Sequence, residues 1–196
     1  MLEVLFSDPA SFVLLFGGLI IAIGLHEAAH CYMADYLGDP TPRSMGRLTL
    51  NPITHLDPIG TLFILLTNFG WGKPAPFDPY NLKNPRRDMA LIALAGPATN
   101  LVIATIVAQI IRITALPGTV NQVLFLLTVI NVNLALFNLL PIPPLDGSKI
   151  FLRTNPWTNQ NNLMLLFLVL LPIFGGHSIA SLVISPVSNF VLNILL

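Results

Sequence analysis

The chain has 196 residues, 54% of them hydrophobic and 9% charged, with a mean hydropathy of +0.77 and zero formal net charge. That balance lies well outside the soluble globular range and predicts an integral membrane protein with room for one compact helical bundle, without an appended peptide-binding or regulatory domain of ordinary size. Zero net charge gives no electrostatic argument for a nucleic-acid partner, and a single cysteine, Cys31, leaves neither a disulfide framework nor a cysteine-based metal cluster.

The N-terminal MLEVLFSD is acidic and lacks the basic region of a cleaved signal peptide, so the first helix is expected to stay. That first span is predicted over about residues 9–34, where an uncharged apolar run ends in GLHEAAH. A carboxylate and two imidazoles at membrane depth cost several kcal/mol unless paired or bound to metal. His26 and His30 are four residues apart, so on a helix both rings project from one face, with Glu27 about 100° round beside them. Neutral imidazole is a good zinc ligand, and a neighbouring carboxylate can take a proton from an activated water. With 4 histidines and 2 glutamates in the chain, a chance HExxH has odds of about one in a thousand from composition alone. The pattern therefore points to a hydrolase.

Next comes PIGTLFILLTNFG, Pro58 to Gly70, apolar but short and rich in strand formers. It reads as a re-entrant or β-like segment within about residues 50–75 rather than a crossing. Further spans are predicted at about 89–112, 120–140 and 162–184, with a short C-terminal helix at about 186–196 after a break marked by Gly175, Gly176 and Pro186. The predicted fold is an all-α polytopic transmembrane bundle of about 4–5 spans in one domain. If 58–70 does not cross, HEAAH and PIPPLDG reach the same side. Arg43, Arg47, Lys73, Lys83, Arg86, Arg87, Lys149 and Arg153 then share that side, leaving only Arg112 opposite, which makes it cytoplasmic.

A catalytic zinc usually takes a third protein ligand and keeps one position open. A downstream glutamate is excluded, since Glu3 is the only other one, and Met33 and Tyr36 stand where HExxHxxGxxH needs glycine and histidine. His55, His177 and the aspartates remain. His55 lies in the Pro-rich loop NPITHLDP and reads as a loop anchor, while His177 falls beyond the last span, deep or on the far side. Asp146 is best placed: Pro141, Pro143 and Pro144 stop the third span, and Gly147 permits a turn that sends the carboxylate back into the bundle.

HEAAH, AGPATN (Ala95 to Asn100), GWGKPAPFDP (Gly70 to Pro79) and NVNLALFNLLPIPPLDG together resemble the site-2 proteases, intramembrane zinc metallopeptidases, over about residues 20–153. The resemblance implies a minimal form, expected to lack a PDZ or CBS domain. The resemblance implies one Zn2+ held by His26, His30 and Asp146, Glu27 as the catalytic carboxylate, and Asn138 as a group that positions substrate or stabilises the oxyanion. It also suggests that Gly72, Lys73 and Pro74 offer a strand edge to an unwound substrate. Asn131 and Asn133 read as interhelical glue, and the small residues of AGPATN as packing, with Asn100 in reach of supporting the metal site. The implied partners are the lipid bilayer and single-pass membrane proteins or signal-peptide remnants, cleaved in a prokaryotic cytoplasmic membrane near its cytoplasmic side. Two other classes fit the same residues: a membrane metal-handling or transport protein, and an inactive binder of transmembrane helices.

Overall fold

A short helix α1 (Leu2–Ser7) leads into α2 (Pro9–Tyr36). Pro9 suits the first turn of a helix, and Asp8 caps it by accepting the Ser11 amide at 3.2 Å. The chain leaves α2 through Gly38, whose φ of 105° is open to glycine, and then meets Pro40. A one-turn helix α3 (Thr41–Ser44) and a 3₁₀ turn (Pro52–His55) precede α4 (Pro58–Thr67). Helix α5 (Pro85–Ile113) also starts on a proline, and α6 (Gly118–Asn138) ends just before Pro141. After a cis Pro143–Pro144 peptide comes α7 (Asp146–Phe151). Strands β1 (Pro172–Phe174) and β2 (His177–Ser178) make a small antiparallel ribbon before α8 (Ile179–Leu195). The computed structural model describes residues 2–67, 70–114, 117–151, 169–174 and 177–196.

Among the described residues, α2, α5 and residues 120–138 of α6 are long and apolar enough to cross a membrane. Helix α5 packs against both α2 and α6, and α8 packs on α6. The interfaces are built from small side chains, buried Ala22, Ala28 and Ala34 on α2, Ala93, Ala104 and Ala108 on α5, and Ala135 on α6. In lipid, where leucine gains little by leaving the solvent, such residues let backbones approach closely. Large apolar side chains turn outward instead, Ile21 and Val13 from α2, Val102 and Ile106 from α5, Phe190 from α8. A surface of that kind suits hydrocarbon, and the chain is an all-α membrane bundle.

The region expected to be re-entrant or β-like divides in two. Residues 58–67 are helical, in α4, rather than strand-like. A short apolar run of β-branched and aromatic residues carries no decisive period, and its helical form is set locally by Asp57, which accepts the Gly60 amide at 2.7 Å at the helix start. The strand-like character is confined to a Leu56–Gly72 bridge and the stretch that follows. Lys73 and Ala75 each precede a proline, which disfavours helix there.

The C-terminal part also differs from expectation. Helix α8 starts at Ile179, capped by the Ser178 hydroxyl, and runs through Pro186 instead of starting there. Residues 172–174 and 177–178 are ribbon rather than part of a span. Residues 162–168 of the expected fourth span lie outside the described residues, as do Gly175, Gly176 and Arg153.

Candidate metal centre

His26 and His30 lie ten and six residues before the end of α2, about 15 and 9 Å along its axis. Asp146 opens α7, and the helix α5 against which α7 packs also packs on α2. Gly147 makes this turn possible, because a Cβ there would run into the carbonyls of Leu139 and Leu140. The three side chains meet: His26 Nε2 to His30 Nε2 is 3.0 Å, and each lies 3.1 Å from Asp146 Oδ2. All three residues are buried.

The ring nitrogens pointing away are committed as donors. His30 Nδ1–H donates to the Ile92 carbonyl at 2.6 Å, and His26 Nδ1–H donates to Asn100 Oδ1 at 2.6 Å. Asn100 is held in that orientation because its Nδ2 donates to Asn131 Oδ1 at 2.8 Å and to the Ala22 carbonyl at 3.3 Å. In the neutral imidazoles both Nε2 atoms are then lone pairs, facing each other and a carboxylate oxygen. Such acceptors repel unless a cation sits among them. A tetrahedral zinc with bonds of about 2.0–2.1 Å spaces its ligands about 3.3 Å apart, close to the separations found. The residues fit the ion by chemistry, tautomer and spacing.

Two further features complete the centre. Gly96 on α5 has no side chain, and a Cβ there would come 2.5 Å from His30 Nε2 and 2.6 Å from His26 Nε2. Lys149, one turn along α7, donates to Asp146 Oδ1 at 3.1 Å, which leaves Oδ2 for the metal.

A cavity of about 710 Å³ opens beside the triad, between α2 and α6, and Glu27 and Asn138 line it. Glu27 Oε2 accepts the Ala75 amide at 3.1 Å, and Asn138 Nδ2 donates back to the Leu134 carbonyl at 3.0 Å. His55 is buried away from the triad as an anchor of its loop, with Nε2–H donating to the Thr49 carbonyl at 2.8 Å. The His177 side chain lies outside the described residues. Gly72 and Pro74 line the cavity, but the Lys73 amide and the Lys73 and Pro74 carbonyls are spent on His55 and Arg47.

Asn100, expected within reach of the metal site, touches a metal ligand, and Asn131, expected as interhelical glue, reaches the same ring through it. Lys149, Ile92 and Gly96 were missed. For Gly96 a signal existed: a glycine before Pro97 within a span is where a backbone passes close to something bulky.

Membrane helices closing round a buried His–His–Asp set, with a glutamate next to the first histidine, define a membrane-embedded zinc-binding protein of the HExxH kind. Residues 107–174 match the sequence pattern of Peptidase family M50, a stretch that includes Asn138 and Asp146. The chain is 42% identical over 141 residues to the Bacillus subtilis protein "Putative zinc metalloprotease YwhC", covering 67% of this chain and 64% of that protein. Proteins with the same description from Mycolicibacterium smegmatis (Rip2, 32% over 144 residues, 69% and 55%) and Methanocaldococcus jannaschii (MJ0611, 40% over 98 residues, 48% and 50%) also match. The chain is similar to Peptidase family M50, the site-2 proteases, over the matched residues and to these zinc metalloprotease relatives. It spans 50% to 64% of the length of these relatives. No solved structure gives a significant match.

Proposed function

We propose that the protein is an intramembrane zinc endopeptidase that hydrolyses peptide bonds of transmembrane substrate helices near the cytoplasmic side of a prokaryotic cytoplasmic membrane. The observation that carries the reading is the convergence of three ligand atoms, 3.0–3.1 Å apart, on the wall of a cavity between the apolar helices that Glu27 also lines. Zinc held by His26, His30 and Asp146 would supply Lewis acidity there, enough to make water a nucleophile near neutral pH. Glu27 is placed to take a proton at its carboxylate and return it to the leaving amine. Asn138 has a second amide hydrogen beyond the one given to Leu134, available to a developing oxyanion.

The cavity walls are apolar, with Leu15, Leu19 and Ile23 from α2 opposite Val129, Leu134 and Phe137 from α6. They suit a hydrophobic segment that has left its helical hydrogen bonds, since a peptide carbonyl inside an intact helix is shielded. The substrates are single-pass membrane proteins, such as membrane-anchored regulators, or signal-peptide remnants. The excess of basic residues in the loops on the triad's side supports the orientation.

The test is cleavage of a single-pass substrate by purified protein in liposomes, wild type against Glu27→Gln. Wild type is expected to cut within or beside the transmembrane segment, and the variant to bind zinc equally and cut at least about 100-fold more slowly. Comparable cutting by the variant would remove Glu27 from its role. Zinc flux without cleavage would replace the reading with a transport one.

A further inference from the structure

Residues 71–78 form a strap beside the cavity, and polar groups outside the metal centre hold it. Arg47 is 3% exposed; its Nη2 donates to the Lys73 carbonyl at 2.8 Å and its Nη1 to the Pro74 carbonyl at 3.4 Å. The Lys73 amide donates to the His55 carbonyl at 2.8 Å. Since the Nε2–H of His55 is given to Thr49, its Nδ1 is a lone pair, and it faces Arg47 Nη2 at 3.3 Å. At the far end, buried Asp39 accepts the Asp78 amide at 2.7 Å.

The strap in turn meets Glu27 at two places. The Ala75 amide donates to Oε2 at 3.1 Å, and Gly72 lies so close that a Cβ would come 3.0 Å from Glu27 Cγ. The Pro74 carbonyl and the Ala75 amide belong to one planar trans peptide unit, in which C=O and N–H point opposite ways. Arg47 grips one side of that unit and Glu27 the other. A guanidinium removed from water costs several kcal/mol, and carbonyls at a membrane surface could be satisfied by water.

We infer that Arg47 is a positioning residue of the peptidase: by fixing the Lys73 and Pro74 carbonyls it aims the Ala75 N–H, which sets the orientation of the Glu27 carboxylate over the cavity. The inference rests on the endopeptidase reading above. Arg47 touches neither the metal ligands nor the reacting atoms; its effect passes through a single peptide plane.

The experiment is a double-mutant cycle on the zinc-loaded full chain in liposomes, with Arg47→Gln, Ala75→Pro and the double variant. Ala75→Pro deletes the N–H alone, in a stretch where Pro74 and Pro76 already favour extended backbone. Each single substitution is expected to lower kcat about 10-fold to 100-fold with KM and zinc content within about twofold. The double variant should be no slower than the worse single one, because both act through one contact. Arg47→Lys, able to reach one carbonyl, should recover part of the loss, and amide exchange over residues 71–78 should quicken in Arg47→Gln while that of α5 does not change.

A kcat within about twofold of wild type, a loss confined to KM, or single losses that multiply in the double variant would each overturn the inference. If Arg47→Gln does not accumulate as folded protein, Arg47→Lys takes its place in the cycle under the same criteria. Zinc flux without any cleavage by the wild-type protein would sink the peptidase reading itself, a result distinct from any of these.

Discussion

Asn100 Oδ1 lies 2.6 Å from His26 Nδ1, linking the middle of α5 to the first metal ligand on α2. Asn100 is itself fully buried and is held by Asn131 and the Ala22 carbonyl, so the ring of His26 is oriented from three helical segments. The interaction fixes which nitrogen carries the proton, and with it which nitrogen can bind zinc.

Asn100→Ala should therefore weaken zinc binding about 10-fold to 100-fold while the bundle still forms. Competition with a chelator of known affinity, followed by metal analysis, measures it directly. Asn100→Asp, which keeps an acceptor facing Nδ1, is expected to hold zinc better than the alanine variant. Equal affinities in wild type and Asn100→Ala would show that His26 needs no such partner.

Gly96 gives a sharper steric test. A side chain there would point between the two Nε2 atoms, 2.5 and 2.6 Å away, the space in which a metal has to sit. Gly96→Val is expected to abolish both zinc binding and cleavage, and Gly96→Ala to reduce them strongly, without loss of helical content by circular dichroism. A Gly96→Val protein that keeps stoichiometric zinc would mean that the rings stand further from α5 than described.

How much of this was legible beforehand follows from which interactions demand a residue type. Imidazole and carboxylate ligands do, so HEAAH and LDG announced themselves, and the apolar runs announced the long helices. A carbonyl is carried by every residue, so nothing in the sequence could mark Ile92 as the acceptor of His30. Arg47 and Lys149 looked like ordinary loop cations, because a charge that serves orientation and one buried against a strap or a ligand are spelled alike. The segment 58–67 was ambiguous for a different reason, since its composition favours strand while its start favours helix. Pro186 misled in the same direction: inside a membrane bundle a proline can sit within a helix, as Pro97 does in α5.

The loop latch should make stability depend on pH. Burial lowers the pKa of His55 below its ordinary 6.5, the Thr49 carbonyl bonded to its ring works the other way, Arg47 beside it lowers it further, and Glu27 raises it slightly. The folded state then binds fewer protons at this site than the unfolded chain. The site's contribution is fully present above about pH 6.5, falls as pH drops from there through the folded-state value, and is constant below it. Thermal unfolding in detergent between about pH 7.5 and 5.5 should show wild type losing more stability on acidification than His55→Gln, which cannot take up that proton. Parallel curves for the two proteins would mean that His55 titrates alike in the folded and unfolded chain and that the latch does not depend on its neutral form.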